Sequence, residues 1–196
     1  MVEKAQSFYL KRKTVLEILH ERGYFVPESE LEQTYSDFLN AFVSTNQLEQ
    51  IYKSNNKAIF VVFNEEQKLS VKAARMILEN AKSYNINNVL IVVQEGHSHQ
   101  VNDLIKDYKE IKVEIFKEKE VLFNVIKHEL VPKHRIMSDE EKAHFLEKNR
   151  VMVEQLPQIM IDDIVARYYG AKRGDLFEII RKGENGEVSY YYRITQ

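Results

Sequence analysis

A chain of 196 residues with 28 basic and 30 acidic side chains has a formal net charge of −2, so it has no overall field to attract nucleic acid. The absence of cysteine excludes a disulfide framework, a thiolate zinc site and a cysteine nucleophile. The charged amino-terminal residues lack the apolar segment of a signal peptide, and the longest apolar runs are too short to span a bilayer. We therefore expect a soluble intracellular protein without membrane contact.

Two amphipathic helices are predicted at the start of the chain. In the first, apolar residues recur at helical spacing through residues 8–19, and Gly23 is a typical helix stop. In the second, Ser29 and Glu32 have the spacing of a capping box, and an apolar stripe follows them. We expect both stripes to pack as helix core, and we expect the basic residues 11–13 to lie on the solvated face of the first helix.

The region after these helices is predicted to alternate between strands and helices. Residues 44–57 are polar and contain several asparagines, which predicts a loop. Strands are predicted at 58–63, 89–93 and 113–117, and helices at 70–82 and 101–108. Residues 120–128 fit either a helix or a strand. Such alternation is typical of βαβ units, so residues 1–128 are expected to form an α/β domain with a partly parallel sheet behind the two helices.

Residues 129–196 are predicted to form a second, smaller module of the α+β class. Its expected elements are an extended segment at 130–137, a helix from 138 to about 149, a short helix at 164–169, and β-rich segments at 176–181 and 188–194. Ser138 and Glu141 have the spacing of a capping box, and Asp162 or Asp163 can cap the short helix. A glycine-rich stretch between the two β-rich segments predicts a hairpin turn.

No arrangement of residues predicts a common catalytic, nucleotide-binding or cofactor site. His97 and His99 are close in sequence, but no nearby carboxylate pattern completes a metal site, so we interpret their segment as a surface loop. One enzymatic alternative rests on Glu66-Gln67-Lys68 and Glu110-Ile111-Lys112, which have the Glu-x-Lys spacing of magnesium-dependent nucleases of the restriction type. So short a motif arises by chance in most charged chains, and a nuclease would need a further carboxylate converging on it.

A cluster of arginine and tyrosine in the second module favours contact with another macromolecule. It comprises Arg167, Tyr168, Tyr169 and Gly170, followed by Lys172 and Arg173. Arginine and aromatic residues are enriched at interfaces and can contact phosphates, but a packed corner of a small domain would use them equally well. The consecutive tyrosines 190–192 should place at least one ring in solvent. Because no wider basic stripe surrounds these residues, they favour a protein partner over stacked bases.

Short motifs run in a fixed order through the second module. They are Leu130-Val131-Pro132-Lys133-His134, Gln155-Leu156-Pro157-Gln158-Ile159, Val165-Ala166-Arg167-Tyr168-Tyr169-Gly170, Lys172-Arg173-Gly174, Ile179-Ile180-Arg181 and Tyr192-Arg193. In order and spacing they resemble the C-terminal domain of the fifth subunit shared by eukaryotic RNA polymerases I, II and III, which has a counterpart in archaeal RNA polymerase. Arg22-Gly23-Tyr24, Leu31-Glu32-Gln33-Thr34 and residues 90–96 resemble the N-terminal jaw domain of the same family. Since the archaeal counterpart lacks a jaw domain, the chain resembles the eukaryotic form or that of a large DNA virus.

The resemblance implies a non-catalytic subunit of a multisubunit DNA-directed RNA polymerase, without a cofactor. Its C-terminal module would dock on the largest subunit of that enzyme. The candidate interface residues are Pro132, His134, Arg167, Tyr168, Tyr169, Gly170, Lys172 and Arg173. The jaw domain would have a restriction-endonuclease-like fold without the active site and would lie near downstream DNA. The candidate DNA loop is His97, Ser98, His99 and Gln100. Transcription regulators would bind the jaw, and the location would be the nucleus, or the virus particle or a cytoplasmic viral factory.

Three places depart from the family pattern, and one of them is the loop at 44–57, which is shorter than usual. The family has proline after the aspartate that precedes its Val-Ala-Arg-Tyr segment, whereas here Asp163 is followed by Ile164. Proline at a first helical turn is favourable but dispensable, so docking should survive the change. After Gly96 the family has a Thr-Pro-Ser-Ala loop, and residues 97–100 replace it here, although histidine and serine can still bond phosphates.

Overall fold

The chain divides into two compact units, the first ending at Phe123 and the second beginning at Asn124. The structure is a computed structural model, and it describes residues 2–42, 49–54, 57–183 and 185–196. The domain boundary predicted from the sequence, at residue 128, lies a few residues beyond this division. Among the described residues, no helix is both long and apolar enough to cross a membrane.

The first unit is an α/β structure built on a mixed sheet. Its helices are α1 (Val2–Glu21), α2 (Glu28–Leu31), α3 (Tyr35–Phe42), α4 (Val71–Ser83), α5 (His99–Asp107) and α6 (Glu118–Val121). Its strands are β1 (Glu49–Lys53), β2 (Ala58–Phe63), β3 (Lys68–Leu69), β4 (Asn88–Val93), β5 (Gly96–His97) and β6 (Lys112–Lys117). The main sheet has the order β1-β2-β4-β6, antiparallel between β1 and β2 and parallel elsewhere, while β3 and β5 form a separate parallel pair. The predicted βαβ units are therefore confirmed.

Helices cover both faces of this sheet, which explains why its central strands are continuous apolar runs. Phe60 of β2 and Ile91 of β4 belong to one buried cluster with Ile77 of α4 and Leu104 of α5. Because side chains alternate along a strand, Phe63 of β2 points to the opposite face. There the Phe8 ring of α1 lies 5.0 Å from the Phe63 ring, centroid to centroid. Thus α1 packs on one face of the sheet, and α4 and α5 pack on the other.

The predicted cap of the second helix is wrong. Ser29 lies inside the single turn α2, which Pro27 precedes, and the chain then breaks before α3. The residue that caps α3 is Thr34, whose hydroxyl accepts the Asp37 N–H at 3.3 Å and donates to the Asp37 carboxylate at 2.6 Å. The reason is that threonine followed by an acidic residue three positions later has the same capping pattern, and it lies shortly before the buried Phe38.

Two irregular stretches of the prediction also need correction. Part of the predicted loop at 44–57 is strand β1, which pairs with β2 and buries Tyr52, whereas 43–48 and 55–56 lie outside the described residues. The strand is poorly marked in sequence because charged and polar residues surround its two apolar side chains. Residues 120–128 are neither one helix nor a strand, since they contain the end of α6 and a 3₁₀ turn at Val125–Lys127.

The second unit is a small α+β structure. Its elements are β7 (Lys133–Ile136), α7 (Asp139–Asn149), β8 (Gln158–Ile159), α8 (Ile164–Tyr169), β9 (Leu176–Lys182) and β10 (Val188–Thr195). The sheet has the order β7-β9-β10-β8, with antiparallel pairs except for the short parallel pair of β10 and β8. The predicted extended segment, the two helices and the hairpin are confirmed.

The sheet of the second unit has a helix on each face. On one face, Phe177 and Ile179 of β9 pack with Ala166 of α8. On the other, the Phe145 ring of α7 lies 4.1 Å from the Tyr192 ring of β10. Both predicted caps form. Ser138 and Glu141 make a reciprocal capping box, and the Asp163 carboxylate accepts the Val165 N–H at 2.8 Å.

Candidate functional site

Six of the eight candidate interface residues of the second unit, those between Arg167 and Arg173, lie at the corner between α8 and β9. Gly170 ends α8 in a left-handed conformation with φ 67° and ψ 30°, which a side chain would strain. Its N–H donates to the Arg167 carbonyl at 3.1 Å, and the Ala171 N–H donates to the Ala166 carbonyl at 2.9 Å. The chain therefore turns sharply at Gly170, directly after the arginine and tyrosine cluster.

Three hydrogen bonds fix the turn that follows. The Asp175 carboxylate accepts the Lys172 N–H at 2.7 Å, and the Gly174 N–H donates to the Thr195 carbonyl at 2.8 Å. The Lys142 ammonium group donates to the Gly174 carbonyl at 2.6 Å. The side chains of Lys172 and of its neighbour Arg173 are exposed. The result is a well-anchored turn that presents two cations to solvent.

The two tyrosines of the cluster have different environments. Tyr168 is only 5% exposed, and its hydroxyl accepts a hydrogen bond from Asn124 Nδ2 at 3.3 Å. Tyr169 is partly buried, with its ring edge-on to Phe177 at a centroid distance of 6.0 Å. Tyr168 therefore fits the alternative interpretation, in which the cluster is a packed corner of a small domain. Its buried ring packs under the corner and does not form part of its exposed surface.

Pro132 and His134 lie at the start of β7. The His134 Nδ1 is 2.7 Å from the Pro132 carbonyl oxygen, which can only accept, so this nitrogen carries the proton. Burial lowers the pKa of His134, and the positive charges of Arg193 and Arg181 lower it further, while the Pro132 carbonyl and Asp163 act in the opposite sense. The ring is therefore neutral near pH 7.

The predicted DNA loop at 97–100 is not a loop. Gly96 and His97 form β5, and His99 and Gln100 are the first residues of α5. The His97 Nε2 lies 2.7 Å from Asn102 Oδ1, and the His99 Nδ1 lies 3.1 Å from the Asp103 carboxylate. A hydrogen bond from Lys106, with help from His99, lowers the pKa of Asp103. In the described ranges there is no group of three histidine or acidic residues that could hold a metal ion.

Of the basic residues 11–13, Lys13 is exposed as predicted, but Lys11 and Arg12 are not part of a solvated face. Lys11 and Arg12 are only 8% and 6% exposed. The Lys11 ammonium lies 2.6 Å from the Glu118 carboxylate, and Arg12 pairs with Glu30. Local sequence could not reveal this, because the carboxylates that make burial of these cations tolerable come from α2 and α6.

The two Glu-x-Lys motifs of the nuclease alternative do not share a site. Glu66 follows the carboxyl end of β2, whereas Glu110 precedes the amino end of β6, and the parallel strands run from one end of the sheet to the other. A six-residue strand spans roughly 17–20 Å. The Glu66 carboxylate accepts the N–H of Ser70, the residue that caps α4, at 3.0 Å.

Sequence reasoning missed the residues that hold the corner in place. The Asp175 carboxylate lies three positions after the N–H that it accepts, a spacing that could have been read as a turn signal. Lys142, Thr195 and Asn124 carry no such signal, since each contacts the corner from a distant part of the sequence.

These units define a two-domain protein with an amino-terminal α/β domain and a small carboxyl-terminal α+β domain. The family description "RNA polymerase Rpb5, N-terminal domain" matches residues 2–81, and "RNA polymerase Rpb5, C-terminal domain" matches residues 123–195. The chain belongs to the RNA polymerase Rpb5 family. The family expected from the sequence motifs is thereby confirmed.

Relatives match along nearly their whole length. The "DNA-directed RNA polymerases I, II, and III subunit RPABC1" of Caenorhabditis briggsae is 35% identical, over 94% of this chain and 93% of the relative. The rpabc1 subunit of Dictyostelium discoideum is 33% identical, over 93% and 94%. The "DNA-directed RNA polymerase V subunit 5A" of Arabidopsis thaliana is 30% identical, over 97% of this chain and 89% of the relative.

Proposed function

We propose that this protein is a non-catalytic structural subunit of a multisubunit DNA-directed RNA polymerase. The observation that carries the proposal is the match to both Rpb5 domains in one chain, together with relatives named as polymerase subunits that align over about nine-tenths of their length. A stand-alone nuclease is disfavoured because, among the described residues, neither Glu66 nor Glu110 belongs to a group of three histidine or acidic residues that could hold a metal ion.

The carboxyl-terminal unit docks on the largest subunit through the corner between α8 and β9. Lys172 and Arg173 contact the partner directly, and Arg167 lies on the adjacent helix. The bonds made by Asp175 and Gly174 hold the turn in place before docking, so little ordering entropy is lost on binding. Tyr168 and Gly170 act as positioning residues for this surface.

The amino-terminal unit forms the jaw near downstream DNA. Residues 97–100 face the DNA, and Ser98, His99 and Gln100 are exposed, which supports this assignment. The other polymerase subunits supply the basic channel that this chain of net charge −2 lacks. The protein acts in the nucleus, or in a viral factory or virus particle if its polymerase is viral, and transcription regulators bind the jaw.

Affinity purification of the tagged protein from its source cells tests the proposal. We expect the largest and second-largest polymerase subunits to co-purify in near-stoichiometric amounts and to remain bound through a moderate salt wash. Recovery of the chain alone, without either large subunit, would overturn the assignment as a polymerase subunit.

A charge-reversed double variant, Lys172→Glu with Arg173→Glu, tests the docking corner. We expect recovery of the largest subunit to fall about tenfold, because two interface cations are replaced by repelling charges. The matched control is Lys148→Glu with Lys182→Glu, two exposed lysines of the same unit away from the corner. Equal recovery of the largest subunit with both double variants would show that the corner is not part of the interface.

Tyr168 needs a separate experiment because its side chain is buried. We expect Tyr168→Ala to weaken incorporation and also to lower the unfolding temperature of the protein, since it leaves a cavity. Arg167→Ala should weaken incorporation with a much smaller change in unfolding temperature. Incorporation that is unaltered in Arg167→Ala would show that this residue does not contribute to docking.

A further inference from the structure

In the hairpin of β9 and β10, the outer edge of β10 is paired with another strand over only part of its length. Backbone groups of odd-numbered residues in β10 face β9: the Glu187 carbonyl accepts the Gly183 N–H at 2.7 Å, and the Thr195 N–H donates to the Asp175 carbonyl at 2.9 Å. The Ile194 N–H instead donates to the Pro157 carbonyl at 2.8 Å, on the β8 side. Because these directions alternate along an antiparallel strand, even-numbered residues face the outer edge.

Strand β8 pairs with β10 only at Ile194 and Thr195. Val188, Tyr190 and Tyr192 therefore direct their backbone N–H and C=O groups to an edge on which no strand lies within the described part of the chain. Unpaired backbone of this kind is a template for strand addition, in which main-chain hydrogen bonds supply affinity and alternate side chains supply specificity.

The side chains along this edge are apolar and exposed. Val188, Tyr190 and Tyr191 are 49%, 56% and 48% exposed. Edge strands are usually protected from pairing by proline, a bulge or a charged side chain on the strand itself. Residues 188–192 contain no proline and no charged side chain, so the edge is chemically suited to a partner.

The face that carries Tyr191 also carries two arginines. The Arg181 guanidinium lies over the Tyr191 ring, 4.7 Å from its centroid, and Arg193 lies two residues further along the same face. Both arginines are exposed, and both act electrostatically on His134 of the neighbouring strand β7. The carboxylate of Glu178 lies on the opposite face, where Arg135 neutralises it.

We propose that residues 188–192 of β10 accept an extended acidic segment of another polypeptide as an additional strand. Tyr190 and Val188 bind apolar side chains of that segment on one face, and Arg181 and Arg193 bind its carboxylates on the other.

The test uses the intact, isotope-labelled protein and a blocked hexapeptide of alternating glutamate and valine. We expect the amide resonances of Val188, Tyr190 and Tyr192 to shift on titration and their hydrogen exchange to slow at least tenfold. The matched control peptide has lysine in place of each glutamate and should bind about tenfold more weakly or not at all. The measurement needs only the purified protein, so its outcome is independent of co-purification with a polymerase.

Two variants separate backbone pairing from charge. Tyr190→Pro removes one outward N–H and leaves the ladder with β9 intact, so we expect about a tenfold loss of affinity, whereas Tyr190→Ala keeps the N–H and loses less. Arg181→Glu with Arg193→Glu should reverse the preference between the two peptides. It also serves as the decisive variant if Tyr190→Pro does not fold.

Three outcomes would overturn the proposal. They are equal shifts with both peptides, shifts located away from β10, and no shift at millimolar peptide. Shifts of the same amides that depend on protein concentration without peptide would assign the edge to a second copy of the chain instead.

Discussion

At the scale of single residues, buried ion pairs attach α1 to the rest of its unit. Arg22, directly after this helix, donates to the Glu114 carboxylate of β6 at 2.7 Å, and their side chains are only 6% and 19% exposed. Burial alone raises the pKa of Glu114, but the charges of Arg22 and Lys112 outweigh it and hold the pKa below its usual value. Each charge is therefore tolerated because the other is present.

Breaking this pair should destabilise the protein strongly. We expect Glu114→Gln to lower the free energy of unfolding by about 3 kcal/mol, because it removes the negative charge that compensates the buried guanidinium of Arg22. The control is Glu141→Gln, which weakens the exposed pair with Arg135 (43% and 47% exposed) and should cost under about 1 kcal/mol. Urea unfolding monitored by circular dichroism measures both. Equal losses would show that burial does not amplify the Glu114 pair.

The same pair predicts a dependence of stability on pH. Since the folded-state pKa of Glu114 is lowered, its contribution is fully present above the unfolded-state pKa of about 4.3 and is lost as the pH falls through the folded-state pKa. The stability difference between the natural protein and Glu114→Gln should therefore shrink as the pH falls below about 5. Urea unfolding at several pH values measures it, and a difference that is constant with pH would contradict the assignment.

At the scale of elements, sequence was a good guide where neighbouring residues decide the structure. The capping box of α7, the cap of α8 and the apolar strands β2 and β4 follow from local spacing, and all are present. The start of α3 was misplaced because Ser29 and Thr34 carry competing cap signals, and local spacing does not rank them. Strand β1 was missed because its identity depends on pairing with β2.

A pair of alanine substitutions tests the corrected cap. Thr34→Ala removes the oxygen that accepts the Asp37 N–H, so we expect a loss of about 1 kcal/mol in the free energy of unfolding. Ser29→Ala changes an exposed residue inside α2 and should be nearly neutral. Thr34→Ser, which keeps the hydroxyl, should retain most of the stability. If Ser29→Ala lowered the free energy of unfolding more than Thr34→Ala, Ser29 would be the cap, as the sequence predicted.

At the scale of the whole molecule, the carboxyl-terminal unit has its own buried clusters and is expected to fold alone. Asn124 caps the turn at Val125–Lys127 by accepting the Ile126 N–H at 3.1 Å, and it also donates to Tyr168. We therefore expect a fragment of residues 124–196 to be about 1–2 kcal/mol more stable than one of residues 129–196, which lacks these bonds. Thermal and urea unfolding of both fragments give the comparison. Indistinguishable stabilities would favour the boundary at residue 128.

The charge of the intact chain predicts how it behaves with DNA outside a complex. A net charge of −2, with Lys11 and Arg12 buried in ion pairs, leaves no excess of positive charge on the chain to attract DNA. We expect the purified protein to bind duplex DNA no more tightly than about 10⁻⁵ M near physiological salt, and more weakly as salt rises. Fluorescence anisotropy of a labelled duplex measures this. Tight binding that does not respond to salt would require a DNA site in the chain itself.

The sequence by itself determined most of the regular elements, the two-unit organisation and the family, because periodicity, caps and ordered motifs depend on residues that are close together in the sequence. Only the tertiary structure decided which charges are buried and which edges are open. Lys11 finds its carboxylate 107 positions away, and the open edge of β10 exists because β8 reaches only its last residues. Burial and edge pairing depend on contacts between segments that are distant in the sequence. Local sequence patterns cannot predict such contacts.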